Sequence, residues 1–201
     1  SMTLILCPRR LHNQWALEFK KVSGVSVRCI GSIVQYRKFC AGDYKEKIIV
    51  MSYSFLTNPR YLEGEYPRVK DHAWTRIICD EAHEVFRPKN RIKKHNLLLN
   101  QLFSLKGGFK WLLSATPLMY HDQGIATMIA WLIESSLKRC YQYGIGSLST
   151  FLESFGRRTC EEELDTLRQT IPKPEYCDYL LDQTPTEMAL YRSEQHNTER
   201  M

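Results

Sequence analysis

The stretch IICDEAHEVF (residues 77–86) places two carboxylates directly behind an apolar run. Its first three residues have the composition of a buried strand, and there Asp80 and Glu81 are costly to remove from water unless they are paired or bind a metal. A strand that ends in such a pair suits a nucleotide site, because one carboxylate can hold Mg²⁺ and the next can polarise the attacking water. His83 follows two residues later and strengthens this interpretation.

The same stretch contains the beginning of a zinc-protease pattern, since His83 and Glu84 form the first half of H-E-x-x-H. That pattern requires a second histidine four residues after the first, where this sequence has Arg87. The missing metal ligand excludes a zinc-protease helix at this position.

Other apolar runs of strand length alternate with helical patterns on both sides of this stretch. They occupy residues 3–8, 25–31, 47–53 and 110–116, and the central run itself covers residues 74–80. Such alternation predicts an α/β fold with a mostly parallel sheet, and Gly107 and Gly108 are expected to end the helical pattern before the last strand. Ligands bind at the carboxyl ends of parallel strands, so we expect the chemistry near Asp80 and Thr116.

The composition is typical of one globular domain with an extension, with 43% hydrophobic and 25% charged residues among 201. A net charge of +6 permits contact with nucleic acid phosphates without requiring it. No apolar run is long enough to cross a membrane, and the seven cysteines show no metal-ligand spacing, which favours reduced thiols in an intracellular protein. The four tryptophans are interpreted as core residues: Trp15, Trp74, Trp111 and Trp131.

A second apolar run ends in small hydroxyl residues, WLLSATPL at 111–118, about 30 residues after the acidic pair. Asp-Glu-Ala-His followed by Ser-Ala-Thr-Pro resembles motifs II and III of helicase superfamily two. Upstream, LILCPRRLHNQWALEFKK at 4–21 resembles motif Ia and IIVMSYSFL at 48–56 resembles motif Ib. Four motifs in the order of that superfamily are a specific signal.

Three features are most similar to the Swi/Snf-type DNA translocases of this superfamily: the W-x-x-E-F turn in residues 15–19, the SYSFL segment and the ATPL segment. The tail LRQTIPKPEYCDYLLDQTPTEMALYRS (167–193) and the aromatic pair of FLESF (151–155) resemble that branch as well. Other double-stranded DNA translocases, including the restriction type, and RNA helicases with Asp-Glu-Ala-His boxes remain alternatives.

The resemblance implies the first RecA-like lobe of such an enzyme, a mostly parallel sheet flanked by helices, incomplete at its N-terminus and followed by a helical extension. Residues 1–182 are expected to form this lobe and residues 183–201 to begin the connection towards the second lobe. Thr184 or Thr186 is expected to cap a helix there, with Pro185 in its first turn.

Specific site residues follow from the resemblance. Asp80, Glu81 and His83 would be catalytic, with Asp80 holding Mg²⁺ together with ATP. Motif III is expected to couple hydrolysis to movement, and motifs Ia and Ib are expected to hold phosphates of double-stranded DNA. The residues in question are Ser114, Ala115 and Thr116 for coupling, and Arg9, Arg10, Ser52 and Tyr53 for DNA.

The phosphate-binding G-x-x-x-x-G-K-[ST] loop of these enzymes does not occur in the 201 residues. Two interpretations follow. In the first, the chain is a piece of a nuclear, chromatin-remodelling-type ATPase that is inactive by itself. In the second, it is an inert helicase-like lobe that binds only DNA or protein. The intact carboxylates and His83 favour the first interpretation.

Overall fold

The structure is a computed structural model that describes residues 2–86, 93–116, 122–134, 156–157 and 184–188, without the side chains of residues 122 and 123. The chain divides into two compact units, Ser1–Gly156 and Arg157–Met201. Residues 151–155 and most of the tail from 167 to 193 lie outside the described residues.

Five strands form one sheet in the order β2-β3-β1-β4-β5, and every neighbouring pair is parallel. The predicted fold class, a mostly parallel α/β layer structure of the RecA-like type, is confirmed. The strands are β1 (Met2–Cys7), β2 (Arg28–Ile30), β3 (Ile48–Ser52), β4 (Trp74–Cys79) and β5 (Gly107–Leu112).

Seven α-helices and two 3₁₀ helices connect and flank these strands in the described residues of the first unit. Helix α1 ends at Ser23, and the capping residue Gly24 after it adopts the left-handed conformation and donates its N–H to the carbonyl of Lys20. Helix α2 begins with a capping box in which Ser32 and Gln35 satisfy each other's backbone N–H groups. The helices are α1 (His12–Ser23), α2 (Ile33–Cys40), α3 (Tyr53–Leu56), α4 (Pro59–Leu62), α5 (Ala82–Phe86), α6 (Lys93–Ser104) and α7 (Asp122–Leu132), and the 3₁₀ helices are Arg9–Leu11 and Val69–Asp71.

The core lies on both faces of the sheet because successive β1 residues point in opposite directions. Ile5 and Cys7 face α1 and form a small cluster with Val50, whereas Leu4 and Leu6 belong to a larger cluster on the other face. All four β1 residues have no exposed surface. Strand β1 is therefore the covered centre of the sheet, as parallel packing requires.

Strand β5 begins three residues earlier than predicted and ends at Leu112, so Gly107 and Gly108 open the strand instead of closing the preceding helix. Parallel pairing with β4 places Gly107 opposite Trp74. A side chain at Gly107 would meet the fully buried Ile77, with its Cβ 2.9 Å from Cδ1 and Cγ1. Glycine at this position therefore reflects the close approach of β4 and β5 and not the end of a helix.

One face of β5 is exposed in the described sheet, of which β5 is the last strand. Phe109, Trp111 and Leu113 alternate along this face with exposed fractions of 59%, 56% and 37%. The prediction that Trp111 is a core residue is wrong, because the cluster beneath α1 does not extend to β5. Trp74 and Trp131 are core residues as predicted, with 4% and 1% exposed.

The cysteines that the structure describes are free thiols. Cys7 and Cys79 are fully buried, and burial raises the pKa of each to about 12. Both side chains therefore remain protonated and pack as small apolar groups. Among the described residues, none of the helices combines the length and the apolarity that crossing a membrane requires.

Residues 185–188 of the second unit are helical, and Thr184 caps them. The Thr184 N–H donates to a carboxylate oxygen of Glu187 at 2.8 Å, and the Glu187 N–H donates to Thr184 Oγ1 at 3.3 Å. This capping box confirms the cap expected at Thr184.

Gly107→Ala is expected to lower the free energy of unfolding by about 1–3 kcal/mol, because the added methyl group overpacks against Ile77. Gly31→Ala is the matched control, since its Cβ would approach only Gln35, at 3.9 Å. Urea denaturation of the two variants measures the difference. Equal stability of Gly107→Ala and Gly31→Ala would contradict the close approach of β4 and β5.

Candidate functional site

The candidate site is the turn that follows β4, and neighbouring strands clamp its backbone. The Asp80 N–H donates to the carbonyl of Leu6 in β1 at 2.8 Å. On the other side, the Leu113 N–H donates to the Cys79 carbonyl, and the Ala82 N–H donates to the Leu113 carbonyl, both at 2.9 Å. The turn is therefore an extension of the sheet and not a free loop.

The carboxylate of Asp80 is held by one N–H donor on each oxygen. Trp15 Nε1 in α1 donates to Oδ2 at 2.8 Å, and the backbone N–H of Glu81 donates to Oδ1 at 2.9 Å. Among the described residues, these two hydrogen bonds leave a lone pair on each oxygen without a donor. Trp15 was interpreted as a core residue, and no local sequence pattern announces its partner 65 positions away.

Tyr53 fixes the backbone of Asp80 from the β3 side. Its hydroxyl donates to the Asp80 carbonyl at 2.7 Å, and only 7% of the residue is exposed. Burial raises the pKa of Tyr53 well above its ordinary value, so the phenol remains a donor. Residues from α1, β1 and the β3–α3 junction thus converge on one residue.

Glu81 adopts a left-handed backbone conformation with φ of 51°, which is uncommon outside glycine and costs about 1–2 kcal/mol. This conformation reverses the chain between β4 and α5, where the Glu84 N–H donates to the Glu81 carbonyl at 2.9 Å. Strained backbone of this kind persists where the surrounding structure imposes it, and it concentrates at functional sites.

The two predicted strand-end motifs meet through a side-chain contact. His83 Nδ1 lies 2.8 Å from Ser114 Oγ and 3.4 Å from a carboxylate oxygen of Glu81. Ser114 Oγ also accepts the backbone N–H of Thr116 at 3.1 Å. The structure therefore brings together Glu81, His83 and the turn after β5, while the hydroxyl-bearing Thr116 itself is exposed.

The four residues predicted to contact DNA fall into two groups. Arg9 and Arg10 lie exposed in the 3₁₀ helix after β1, and Arg10 forms an ion pair with Glu84 of α5. Ser52 and Tyr53 are buried, with Ser52 Oγ 3.0 Å from Ser54 Oγ. Contact of these four residues with DNA stays a prediction, and the side chains of Ser52 and Tyr53 are turned inward in this structure.

The residues present fit a magnesium ion that arrives with a nucleotide. In the part of the chain that the structure describes, no three His, Cys, Asp or Glu side chains are grouped to hold a metal by themselves. Magnesium seldom needs such a cage, because it binds through one or two carboxylates together with substrate phosphates and water. The free lone pairs of Asp80 suit that mode.

An open cleft of ≈ 810 Å³ lies elsewhere, at the amino ends of the strands. It is lined by residues such as Thr3, Ile48 and Arg76, and one of its cations, Arg28, is paired with Glu46. The cleft contains neither the acidic turn after β4, with Asp80 and Glu81, nor the turn after β5, with Ser114 and Thr116. Its size therefore does not make it the candidate site, since ligands in parallel sheets bind at the carboxyl ends.

A family model described as the SNF2-related domain matches residues 1–184. Among curated proteins, the chain is similar to DNA repair protein RAD5 of Cryptococcus neoformans var. neoformans, with 30% identity over 148 residues, 65% of this chain and 12% of that protein. DNA repair protein RAD5 of Kluyveromyces lactis is 26% identical over 140 residues, again 65% of this chain and 12% of that protein. The chain thus spans 12% of the length of these relatives.

Among solved structures, the chain is similar to the Sulfolobus solfataricus SWI2/SNF2 ATPase core in complex with dsDNA. The TM-score is 0.51 at 20% identity, covering 84% of this chain and 32% of that chain. At this identity the likeness concerns the fold.

Tyr53→Phe is expected to lower the free energy of unfolding by about 1–3 kcal/mol, because the Asp80 carbonyl loses a buried donor. Tyr66→Phe is the matched control, since that hydroxyl donates to the Arg60 carbonyl at an exposed position where water can replace it. Urea denaturation compares the two. A smaller loss for Tyr53→Phe than for Tyr66→Phe would contradict the proposed clamp.

Proposed function

The chain belongs to the SNF2-related domain family, and on that premise we propose that it forms part of an ATP-dependent translocase of double-stranded DNA. The observation that supports this most is the contact between the two strand-end turns. His83, in the first turn of α5 directly after the acidic turn that follows β4, lies within hydrogen-bond distance of Ser114, from the turn after β5. A site that hydrolyses nucleotide and passes the result to another surface needs such a link.

Asp80 is proposed to hold the magnesium ion that accompanies ATP. Its position at the carboxyl end of β4 and the free lone pairs of its carboxylate support this role. When bound, the ion would neutralise charge on the phosphates during their transfer. ATP use follows from the family, whereas the magnesium role of this residue is our inference.

Glu81 is proposed to polarise the attacking water. Its left-handed backbone turns the residue at the strand end, and within the described residues its carboxylate oxygen lies 3.4 Å from His83 Nδ1, longer than a strong hydrogen bond. A carboxylate held this loosely can accept a proton from water. His83 Nδ1 would then lie between the Glu81 carboxylate and Ser114 Oγ and orient both through one ring nitrogen.

The turn after β5 is proposed to transmit the state of the nucleotide to the DNA surface. Ser114 Oγ contacts both His83 and the backbone N–H of Thr116. A movement of the acidic turn would therefore be passed through His83 to Ser114 and Thr116. Ala115 between them has no polar side chain and would serve as the spacer. Arg9 and Arg10 are the exposed cations proposed to hold DNA phosphates.

The partners and location of the whole protein are proposed from its relatives. The curated relatives are named as DNA repair proteins, and the similar ATPase core was solved with double-stranded DNA. We infer a nuclear protein that acts on double-stranded DNA, with chromatin remodelling and repair as the candidate processes. Residues 1–182 would form its first lobe and residues 183–201 the start of the connection to the second.

The alternative of an inert helicase-like module is less well supported. A lobe that only binds partners has no need for strained backbone at Glu81 or for a side-chain link between His83 and Ser114. Both features are present here. They are expected of a site whose geometry must be kept.

Glu81→Gln, in a longer protein that contains this chain and a phosphate-binding loop, is expected to reduce DNA-stimulated ATP hydrolysis by at least about 100-fold. Nucleotide affinity should change little, because the water-polarising role matters mainly in the transition state. Glu18→Gln, an exposed position on α1, is the control. Steady-state ATPase rates together with nucleotide titration provide the measurement, and near-normal turnover by Glu81→Gln would remove Glu81 from this role.

Changing Ser114 and Thr116 together to Ala is expected to reduce the distance moved on DNA per ATP hydrolysed. The change removes the hydroxyl that contacts His83 and the Thr116 N–H. Ser104→Ala is the control, since its hydroxyl donates to the Gln101 carbonyl at the end of α6. Translocation and ATPase assays on the same preparation give the ratio. An unchanged ratio would mean that these hydroxyls merely satisfy local backbone groups.

A further inference from the structure

We propose that Trp15 is a positioning residue whose indole N–H fixes the orientation of the Asp80 carboxylate for the metal-bearing nucleotide. This inference rests on the proposed role of Asp80. It concerns a residue of α1 that touches no reacting atom, and whose effect is exerted through the 2.8 Å hydrogen bond from Nε1 to Oδ2.

The indole of Trp15 is itself held in place by its surroundings. It stacks on Phe19 one turn later in α1, with 5.7 Å between ring centroids and 29° between planes. It also packs against the cluster that Ile5, Cys7 and Val50 form on the β1–β3 face. An aromatic ring confined in this way offers its N–H from a fixed point, which is what orienting a carboxylate requires.

The hydrogen bonds of Asp80 leave its carboxylate little freedom to rotate. Oδ1 is held by the Glu81 N–H from the chain itself, and Oδ2 is held by Trp15 from a different element. Loss of the Trp15 donor would allow the carboxylate to rotate about the Cβ–Cγ bond, because one hydrogen bond from the Glu81 N–H does not fix the plane of the carboxylate. Metal ligands depend on such outer partners for their orientation.

The other indole N–H groups provide a comparison. Trp74 donates to the Val69 carbonyl at 2.7 Å and Trp131 donates to the Leu102 carbonyl at 2.9 Å, so both satisfy a buried donor with backbone. Trp15 donates to a carboxylate of the candidate site. Phenylalanine at each position would remove the N–H donor and keep most of the aromatic packing, which makes Trp74→Phe a matched control for Trp15→Phe.

The contact itself is tested on the 201-residue chain by ¹H–¹⁵N NMR, in which four tryptophans give four indole N–H signals. Trp15→Phe assigns the signal of interest. Asp80→Ala is expected to shift that signal and to accelerate its exchange with solvent, while the Trp74 and Trp131 signals stay in place and report that the fold is intact. An unshifted Trp15 signal would overturn the proposal.

The positioning role is tested in a longer protein with a complete phosphate-binding loop. Titration of Mg²⁺ at fixed ADP is expected to show about a tenfold higher half-saturating concentration for Trp15→Phe, the range typical of lost outer-shell partners. Trp74→Phe should titrate like the unchanged protein. Binding of ADP without the metal should be the same in all three.

The outcomes separate this inference from the function on which it rests. If Asp80→Ala leaves the Mg²⁺ titration unchanged, the proposed metal role of Asp80 fails and the role of Trp15 fails with it. If Asp80→Ala raises the half-saturating concentration but Trp15→Phe behaves like Trp74→Phe, only the positioning role is overturned. A selective effect of Trp15→Phe supports both.

Discussion

The central constraint on this structure is that the carboxylate of Asp80 must be held at the end of the buried parallel strand β4. Desolvating Asp80 is unfavourable unless donors surround it, and the surrounding donors come from elements far apart in sequence. Trp15, in α1, donates to one carboxylate oxygen of Asp80, and Tyr53, at the end of β3, donates to the Asp80 carbonyl. The backbone N–H of Asp80 donates to the Leu6 carbonyl in β1. These hydrogen bonds join the sheet, the first helix and the acidic turn into one unit.

The same unit places the candidate hydrolysis and DNA surfaces next to each other. His83 connects the acidic turn to Ser114 after β5, and Glu84 of the same short helix α5 pairs with Arg10 after β1. An exposed ion pair is weak, so a phosphate of the proposed DNA partner could compete with Glu84 for Arg10 at little cost. Both contacts are made by α5, a helix of five residues, which would therefore join the two proposed surfaces.

Much of the fold and the location of the site follow from local patterns, but their long-range partners do not. Five apolar runs predicted the parallel sheet, and the acidic pair indicated its carboxyl edge. The sequence pattern gave the wrong prediction at Gly107. A glycine that is needed because a neighbouring strand packs closely cannot be told, from sequence, from a glycine that ends a helix. The sequence pattern also did not predict the hydrogen-bond partner of Trp15 or Tyr53. Local apolar patterns indicate which residues are buried, whereas hydrogen bonds across the sheet depend on the order of the strands.

The most direct test of the site is to locate the metal that a nucleotide carries. Mn²⁺ bound with ADP to a longer protein containing this chain should selectively broaden the indole N–H signal of Trp15, whose partner is Asp80. Trp74 begins β4, six residues before Asp80 and about 20 Å away at the usual strand rise, so its signal should broaden far less than that of Trp15. Equal broadening of both signals, or broadening of Trp74 alone, would contradict a nucleotide site at the carboxyl end of β4.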